Sequence, residues 1–195
     1  MEVSLAQKKD SLQIAKIHAQ ELKDSFLSSF SPVFLRILYG SVITSKYSFC
    51  FVARENSQVI GFVTGITDIK NFYRYFLKRY FFLLPFVMIS TIFNLSKIKR
   101  ILENIFYPKK TKDLPGPELF SIAVKSEFQG RQIGKELLKR FVSEMKIRKV
   151  NVFKVLVGSK SDAVKFYQNT GFELKDKIVL HGKEESLIFT YKINK

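Results

Sequence analysis

The stretch from Leu119 to Phe172 decides the fold of this chain: LFSIAVKSEFQGRQIGKELLKRFVSEMKIRKVNVFKVLVGSKSDAVKFYQNTGF. Its first residues, Leu119 to Val124, predict a strand, and the turn Gln129–Gly134 leads directly into a predicted helix. Backbone N–H groups in a glycine-containing turn and at a helix N-terminus have no intrahelical acceptor, so they converge on an anion. The layout therefore predicts a phosphate-binding loop between this strand and this helix.

A second motif follows the helix. The apolar run from Val150 to Val157 predicts another strand, and a short helix is expected from about Ser161. That helix carries Phe166 and Tyr167, and Gly171 is placed to let the chain leave it with a positive φ. Strand, loop, helix, strand and the motif FY-x-x-x-GF thus occur in one order along the chain.

These residues resemble the GNAT acyltransferase superfamily, whose coenzyme A loop has the pattern Q/R-x-x-G-x-G/A and whose next motif ends A-x-x-F/L-Y-x-x-x-G-F. Residues 163–172 match the second pattern at every fixed position. The loop matches at Gln129 and Gly134, but Gln132 stands where the family usually has its middle glycine. Gln132 must therefore hold its amide in position with its side chain pointing away from the pyrophosphate.

The resemblance implies an α/β fold with a central mixed, mostly antiparallel sheet flanked by helices. It covers residues 1–195 as a single N-acetyltransferase domain, except for a helical insert at about 67–117. It also implies acetyl-coenzyme A as cosubstrate, bound by strand main chain, by the loop and by Lys160, which stands where the family often has Asn. The implied cofactor-binding residues are Ile122, Ala123, Val124, Gln129, Gly130, Arg131, Gln132, Ile133, Gly134 and Lys160.

Two side chains are candidates for catalysis by the same resemblance. Tyr167 matches the tyrosine that protonates the coenzyme A thiolate, and the alternative is a tyrosine that only packs beside Phe166. Glu118 stands where some family members carry a glutamate that takes the amine proton, and the alternative is a solvated charge at a strand entrance. Other members place a glutamate on the next strand, where this chain has Val155.

The resemblance therefore implies an enzyme that transfers an acetyl group from acetyl-coenzyme A directly to a primary amine of a small molecule or protein. The single cysteine, Cys50, lies in an apolar run and offers no nucleophile motif, so no acyl-enzyme is expected. The alternative is a non-catalytic module that binds coenzyme A or associates with membranes. Neither His18 nor His181 has metal-ligand spacing, and no metal is predicted.

The net charge of the chain indicates anionic partners but does not distinguish among them. Lys and Arg number 33 and Asp and Glu 17, a formal charge of +16 that attracts coenzyme A, nucleic acid and anionic lipid alike. No nucleic-acid recognition motif accompanies this charge, so no specific nucleic-acid partner is expected. The start MEVSLAQKKD lacks the apolar core of a signal peptide, and the expected location is the cytoplasm.

Periodicity and turn residues predict the remaining elements. A helix is expected from Ser11 to Leu22 with Asp10 or Ser11 as cap, and a second from the capping pair Ser31-Pro32 to about Ile43. Two strand hairpins complete the expected elements: Ser48–Arg54 with Gln58–Ile66, and Leu174–Leu180 with Leu187–Ile193.

The insert combines many aromatic residues with many cations. The apolar run within Asn71–Phe93 is broken by Pro85 and falls short of the roughly 20 apolar residues that a membrane span needs. We expect its helices to pack their Phe residues over the acceptor cleft and to turn Lys and Arg outward. Peripheral contact with an anionic membrane through the same insert is the alternative.

Overall fold

One sheet organises the residues that the structure, a computed structural model, describes: 1–84, 114–180 and 184–193. Its strands are β1 (Glu2–Leu5), β2 (Ser48–Glu55), β3 (Gln58–Ile66), β4 (Glu118–Val124), β5 (Val152–Gly158), β6 (Glu173–Leu180) and β7 (Glu184–Lys192). The α-helices described are α1 (Ser11–Glu21), α2 (Pro32–Thr44), α3 (Ile69–Tyr80), α4 (Ile133–Ile147) and α5 (Ala163–Gln168).

The strand order is β1-β2-β3-β4-β5-β7-β6. In the described sheet every neighbouring pair is antiparallel except β4 with β5, which is parallel. The final strand, β7, lies between β5 and β6, so the predicted hairpin joins the sheet through its second strand. The expected mixed, mostly antiparallel sheet flanked by helices is confirmed.

Local sequence explains how α2 begins but not how α1 begins. Ser31 caps α2 by accepting a hydrogen bond from the Phe34 N–H at 3.2 Å, and Pro32 follows at the first helical position, as predicted. Asp10 is the N-cap residue of α1, as predicted, but its side chain makes no cap hydrogen bond with the helix. Asp10 instead accepts the Gln7 N–H at 2.7 Å and forms an ion pair with Arg54 of β2, which fixes the helix to the sheet.

A tight turn joins β2 to β3. Asn56 and Ser57 both have positive φ, 47° and 66°, between Glu55 and Gln58. Two successive residues of this kind form a turn whose twist matches that of the flanking antiparallel strands. Both faces of this strand pair are buried. Cys50, Val52, Val59, Phe62 and Ile66 belong to the apolar cluster on one face, and Phe51, Ala53, Ile60 and Val63 belong to the cluster on the other.

The two faces of the sheet bury separate apolar clusters. Helices α1, α2 and α3 cover one face, which we call the α1–α3 face, with buried residues such as Ile17, Leu35 and Phe72. Helices α4 and α5 cover the other, the α4–α5 face, with Phe141 and Tyr167. Consecutive strand residues point to opposite faces, so each strand of the centre contributes to both clusters.

The expected helical insert at 67–117 falls only partly within the described residues. Helix α3 (Ile69–Tyr80) forms its first part, with Asp68 accepting the Asn71 N–H at 3.0 Å and with Phe72 and Phe76 buried on the α1–α3 face. Residues 85–113, and with them the apolar run after Pro85, lie outside the described residues, as does His181. The flap and membrane roles of the insert therefore stay predictions. Among the described residues no helix is both long and apolar enough to cross a membrane.

Candidate active site

Strands β4 and β5 leave a gap in the middle of the sheet. Their parallel pairing is limited to Glu118 opposite Lys154, supported by the Lys154 N–H donating to the Pro117 carbonyl at 3.0 Å. Beyond this pair the strands run on to Val124 and Gly158 without pairing to each other. We call the space between these unpaired lengths the β4–β5 gap. Its closed end lies at Glu118 and its open end at the loop that follows β4.

The backbone of β4 presents hydrogen-bonding groups to this gap. The Lys125 N–H donates to the Ile60 carbonyl of β3 at 2.9 Å. Hydrogen-bonding direction alternates along an antiparallel strand, so Ala123 also faces β3, whereas the N–H and C=O groups of Ile122 and Val124 face the gap. Of the three strand residues predicted to bind the cofactor through main chain, Ile122 and Val124 have the required direction and Ala123 does not.

The loop predicted to bind phosphate occupies the open end of the gap. The Gln129 side chain donates to the Val124 carbonyl at 2.9 Å, which ties the loop to the end of β4. The first hydrogen bonds of α4 run from Lys135 and Glu136 to the Gln132 carbonyl, at 3.0 and 3.2 Å. Within the described part of the chain, five consecutive N–H groups before them have no acceptor: those of Gly130, Arg131, Gln132, Ile133 and Gly134.

Gln132 adopts the conformation that the family's middle glycine would provide. Its φ of 61° and ψ of 9° lie in the left-handed region, as does the φ of 77° at Gly130. A residue with a Cβ holds this conformation at a cost of about 1 kcal/mol or more, and such strain concentrates at ligand-binding turns. This geometry is consistent with the prediction that Gln132 holds its amide in position for a pyrophosphate.

Arg131 and Gly134 have different surroundings within the loop. The Arg131 guanidinium lies 5.1 Å from the centre of the Phe128 ring, so the cation is held beside the loop. A Cβ at Gly134 would contact the Phe166 ring at 3.4 Å. The missing side chain of Gly134 therefore allows α5 to pack against the first turn of α4, and its role toward a pyrophosphate rests on its N–H alone.

Tyr167 lies next to that contact on the α4–α5 face. Its ring packs against Phe172 and Phe189, with centroids 5.1 and 6.1 Å away, and the residue is 4% exposed. Burial raises the pKa of the Tyr167 phenol above its ordinary value of 10. The hydroxyl therefore stays protonated at neutral pH, and within the described residues it has no hydrogen-bond partner. The phenol O–H is therefore available to donate a hydrogen bond.

Glu118 lies at the closed end of the gap with its side chain on the α1–α3 face. Leu119 belongs to the cluster on the opposite face, and Tyr73 of α3 interacts electrostatically with the Glu118 carboxylate. Glu118 is 7% exposed, and its Oε2 is buried without a hydrogen-bond partner in the described structure. Burial raises the pKa of Glu118 to about 7, and the charge of Lys154 acts in the opposite direction. The expectation of a possible solvated charge at this position is wrong, because the carboxyl is enclosed.

Comparisons with known proteins agree with this geometry. Residues 111–181 match the family model described as the acetyltransferase (GNAT) domain. This part of the chain is therefore similar to a GNAT acetyltransferase domain. No curated protein sequence matches it significantly.

Several solved structures share the fold of this chain. The ribosomal-protein-S18-alanine N-acetyltransferase of Escherichia coli is 14% identical with a TM-score of 0.61, covering 100% of this chain and 94% of its own. The PaiA N-acetyltransferase of Thermoplasma acidophilum, solved in complex with coenzyme A, is 15% identical with a TM-score of 0.60, covering 98% and 99%. Ard1 of Thermoplasma volcanium is 12% identical with a TM-score of 0.64, covering 100% and 98%. At these identities the likeness establishes the fold.

The sequence analysis did not identify Lys154. The side chain is 2% exposed within β5, and its Nζ donates to the Pro115 carbonyl. A lysine inside the apolar run from Val150 to Val157 was the available signal, because a buried strand rarely carries a charge without a partner. Val155, where other members have a glutamate, is buried on the α4–α5 face, and Lys160 is exposed in the turn after β5.

Two further side chains that could take part in chemistry, His18 and Cys50, belong to the core. His18 contacts the Tyr39 hydroxyl through Nδ1 at 2.5 Å, and burial lowers the pKa of its imidazole to about 4. Cys50 is buried in the α1–α3 cluster, and burial raises the pKa of its thiol. Among the described residues no group of three or more His, Cys, Asp or Glu side chains could hold a metal ion.

Proposed function

We propose that this protein transfers an acetyl group from acetyl-coenzyme A to a primary amine of a small molecule or a protein. The observation that carries the proposal is the β4–β5 gap, whose free backbone groups continue into a loop with five N–H groups without acceptors. An extended chain of amides that ends in a pyrophosphate matches both parts of this surface. Acetyl-coenzyme A has that form and supplies an activated thioester carbonyl.

The residues that would hold the cosubstrate follow from these directions. Ile122 and Val124 face the gap with their main chain and would pair with the pantetheine amides. The N–H groups of residues 130–134 and the N-terminal dipole of α4 would bind the pyrophosphate. Arg131, held beside Phe128, adds a positive charge that interacts with phosphate oxygens. Coenzyme A bound to the PaiA structural neighbour supports this choice of cosubstrate.

The two candidate catalytic residues lie on opposite faces of the sheet. Glu118, on the α1–α3 face, is a general base whose pKa near 7 allows it to take a proton from an ammonium group at physiological pH. Tyr167, on the α4–α5 face, is a protonated donor suited to a departing thiolate. A base and an acid on the two sides of one gap permit amine attack from one side and thiolate departure on the other. Buried Cys50 leaves direct transfer as the route.

The proposal includes a cytoplasmic location, where acetyl-coenzyme A is available, and an acceptor defined by its amine. Two structural neighbours are ribosomal-protein-alanine N-acetyltransferases by their names, which supports an amine as acceptor without choosing between a protein and a small molecule.

Binding and turnover are tested separately. Acetyl-coenzyme A should raise the melting temperature of the purified protein in a concentration-dependent manner, because it binds the folded state, whereas adenosine should not. Release of free thiol should then depend on one or more amines in a panel of peptides with free N-termini, polyamines and amino acids. Absence of the thermal shift would contradict the proposal. A thermal shift without thiol release across the panel would favour a non-catalytic coenzyme A-binding module instead.

A further inference from the structure

Lys154 and Glu118 are held opposite each other on adjacent strands. They form the one paired position between β4 and β5 in the described sheet. Side chains at paired positions of parallel strands point to the same face, and the α4–α5 face is occupied by the residues on either side of Lys154, Phe153 and Val155. Lys154 therefore shares the α1–α3 face with Glu118.

The buried ammonium of Lys154 is fixed to the segment that leads into β4. Its Nζ donates to the Pro115 carbonyl, and its N–H donates to the Pro117 carbonyl at 3.0 Å. Both acceptors lie within three residues of Glu118 in the chain. A buried ammonium is costly unless it is paired and hydrogen-bonded, so a lysine kept at this position has an electrostatic consequence for the carboxyl group beside it.

The Glu118 carboxyl group still has an unused acceptor. Its Oε2 is enclosed and has no hydrogen-bond partner in the described structure. Two titratable groups face the carboxyl from the elements packed around it, Lys154 from β5 and Tyr73 from α3. An enclosed carboxylate with one free oxygen and one neighbouring cation is arranged to accept a proton or an N–H group from a ligand.

We propose that Lys154 is a positioning residue for acyl transfer: its ammonium, held on the neighbouring strand, favours the ionised form of Glu118, so that the free carboxylate oxygen can take the proton of the acceptor amine. The inference rests on the proposed function for its catalytic meaning. Lys154 itself transfers no proton in this scheme, because one proton moves from the amine nitrogen to the Glu118 oxygen and leaves from there to solvent.

The electrostatic effects on this pair are consistent with that role. Burial raises the pKa of Glu118, and the charge of Lys154 lowers it. Burial lowers the pKa of Lys154, and the charge of Glu118 raises it. Burial, and then the charge of Glu118, raise the pKa of Tyr73, so that this phenol is neutral at physiological pH and leaves Lys154 as the charged neighbour.

The first test measures the titration of Glu118 without requiring any acceptor. Side-chain carboxyl resonances of ¹³C-labelled protein are followed from pH 4 to 10, and the Glu118 signal is assigned by its loss in Glu118→Gln. Lys154→Met, which keeps the unbranched chain and removes the charge, should move the Glu118 midpoint up by about one pH unit or more. Lys154→Arg should return it close to the wild-type value, and Lys139→Met, at an exposed lysine of α4, is the matched control.

A Glu118 midpoint that is the same in Lys154→Met as in the wild type would overturn the proposal. If Lys154→Met does not fold, the pair is tested from its other side by the Lys154 side-chain titration in Glu118→Gln. That midpoint should fall when the neighbouring carboxylate is removed, and an unchanged midpoint would overturn the proposal equally.

Kinetics then connect the pair to catalysis. In Lys154→Met the acid limb of kcat/KM for an accepted amine should move in parallel with the Glu118 midpoint. Activity at pH 7 should fall about tenfold and recover to within about threefold of the wild type at high pH. A loss of activity that is equal at every pH would indicate a structural role and overturn the proposal. Failure of the proposed function would give a different result from failure of this inference. The wild type would show no amine-dependent activity, while the Glu118 midpoint would still move in Lys154→Met.

Discussion

Replacing Glu118 with Gln tests the electrostatic state of the candidate base. Burial raises the pKa of Glu118 from an ordinary value of 4.5 to about 7, with Lys154 acting in the opposite direction. The folded state therefore binds this proton more tightly than the unfolded chain does. The stabilising contribution of Glu118 is complete below pH 4.5 and is lost as the pH rises through about 7.

The magnitude follows from the interval between the two pKa values. At about 1.36 kcal/mol for each pH unit, the interval from 4.5 to about 7 corresponds to about 3 kcal/mol at pH 8. Gln has no charge to bury, so Glu118→Gln should be more stable than the wild type by up to about 3 kcal/mol at pH 8. The difference should shrink toward zero near pH 4.5.

The assay compares the free energy of unfolding of variant and wild type in urea between pH 5 and 8.5. The comparison with the wild type is needed because His18 affects the pH dependence of the free energy of unfolding with the opposite sign to Glu118. Burial lowers the pKa of His18 from 6.5 to about 4, so its contribution is present above pH 6.5 and is lost as the pH falls through about 4. Both proteins contain His18, so the difference between their curves isolates Glu118. Glu127→Gln, at an exposed glutamate, is the matched control for charge removal.

Turnover of Glu118→Gln should be about 10²-fold lower than that of the wild type, because no carboxylate is left to take the proton of the amine. Gain of stability together with loss of activity is the expected pattern for a group held in an unfavourable state for catalysis. A variant that is less stable than the wild type at pH 8, by an amount that does not vary with pH, would refute the reasoning. That result would mean that the pKa of Glu118 is not raised above its ordinary value in the folded state.

Other predictions concern the proton donor and the loop. Tyr167→Phe keeps the ring packing and removes the donor, so steady-state turnover should fall by about 10²-fold while the thermal shift with acetyl-coenzyme A is retained; full turnover would make Tyr167 structural. Gln132→Gly should tighten coenzyme binding measured by calorimetry, whereas Gly130→Ala should weaken it, and the reverse order would contradict the loop geometry. Gln132→Gly should change the free energy of unfolding by less than about 1 kcal/mol, because relief of the left-handed strain offsets the added freedom of the unfolded chain. Gly134→Ala should leave the free energy of unfolding in urea nearly unchanged, whereas Gly134→Leu should lower it by about 1–3 kcal/mol by displacing Phe166. Equal stability of the two variants would exclude the contact between this position and Phe166.

Elements with strong local signals could be predicted from the sequence. Ser31-Pro32 marks the start of α2, and Glu55-Asn56-Ser57 separates two strands that pair as a hairpin. β1 was not predicted, because its four residues have little signal of their own and are fixed by pairing with β2. Asp10 was assigned to a helix cap, but its partner Arg54 lies 44 positions away, beyond the reach of a local argument.

Some residues of the candidate site could be identified from the sequence, and others only from the structure. The loop from Gln129 to Gly134 and Tyr167 carry motif signals, so sequence could name them. The role of Lys154 depends on the register between β4 and β5, and the surroundings of Gly134 depend on how α5 packs on α4. Neither register nor helix packing is encoded in a short stretch, so both required the structure.

Amide hydrogen exchange resolved by residue tests coenzyme binding in the β4–β5 gap most directly. Saturating acetyl-coenzyme A should protect the amides of residues 130–134 and those of Ile122 and Val124. The amide of Ala123, which faces β3, should change little in comparison. Protection elsewhere in the chain with these amides unaffected would contradict the binding site derived from the strand and loop geometry.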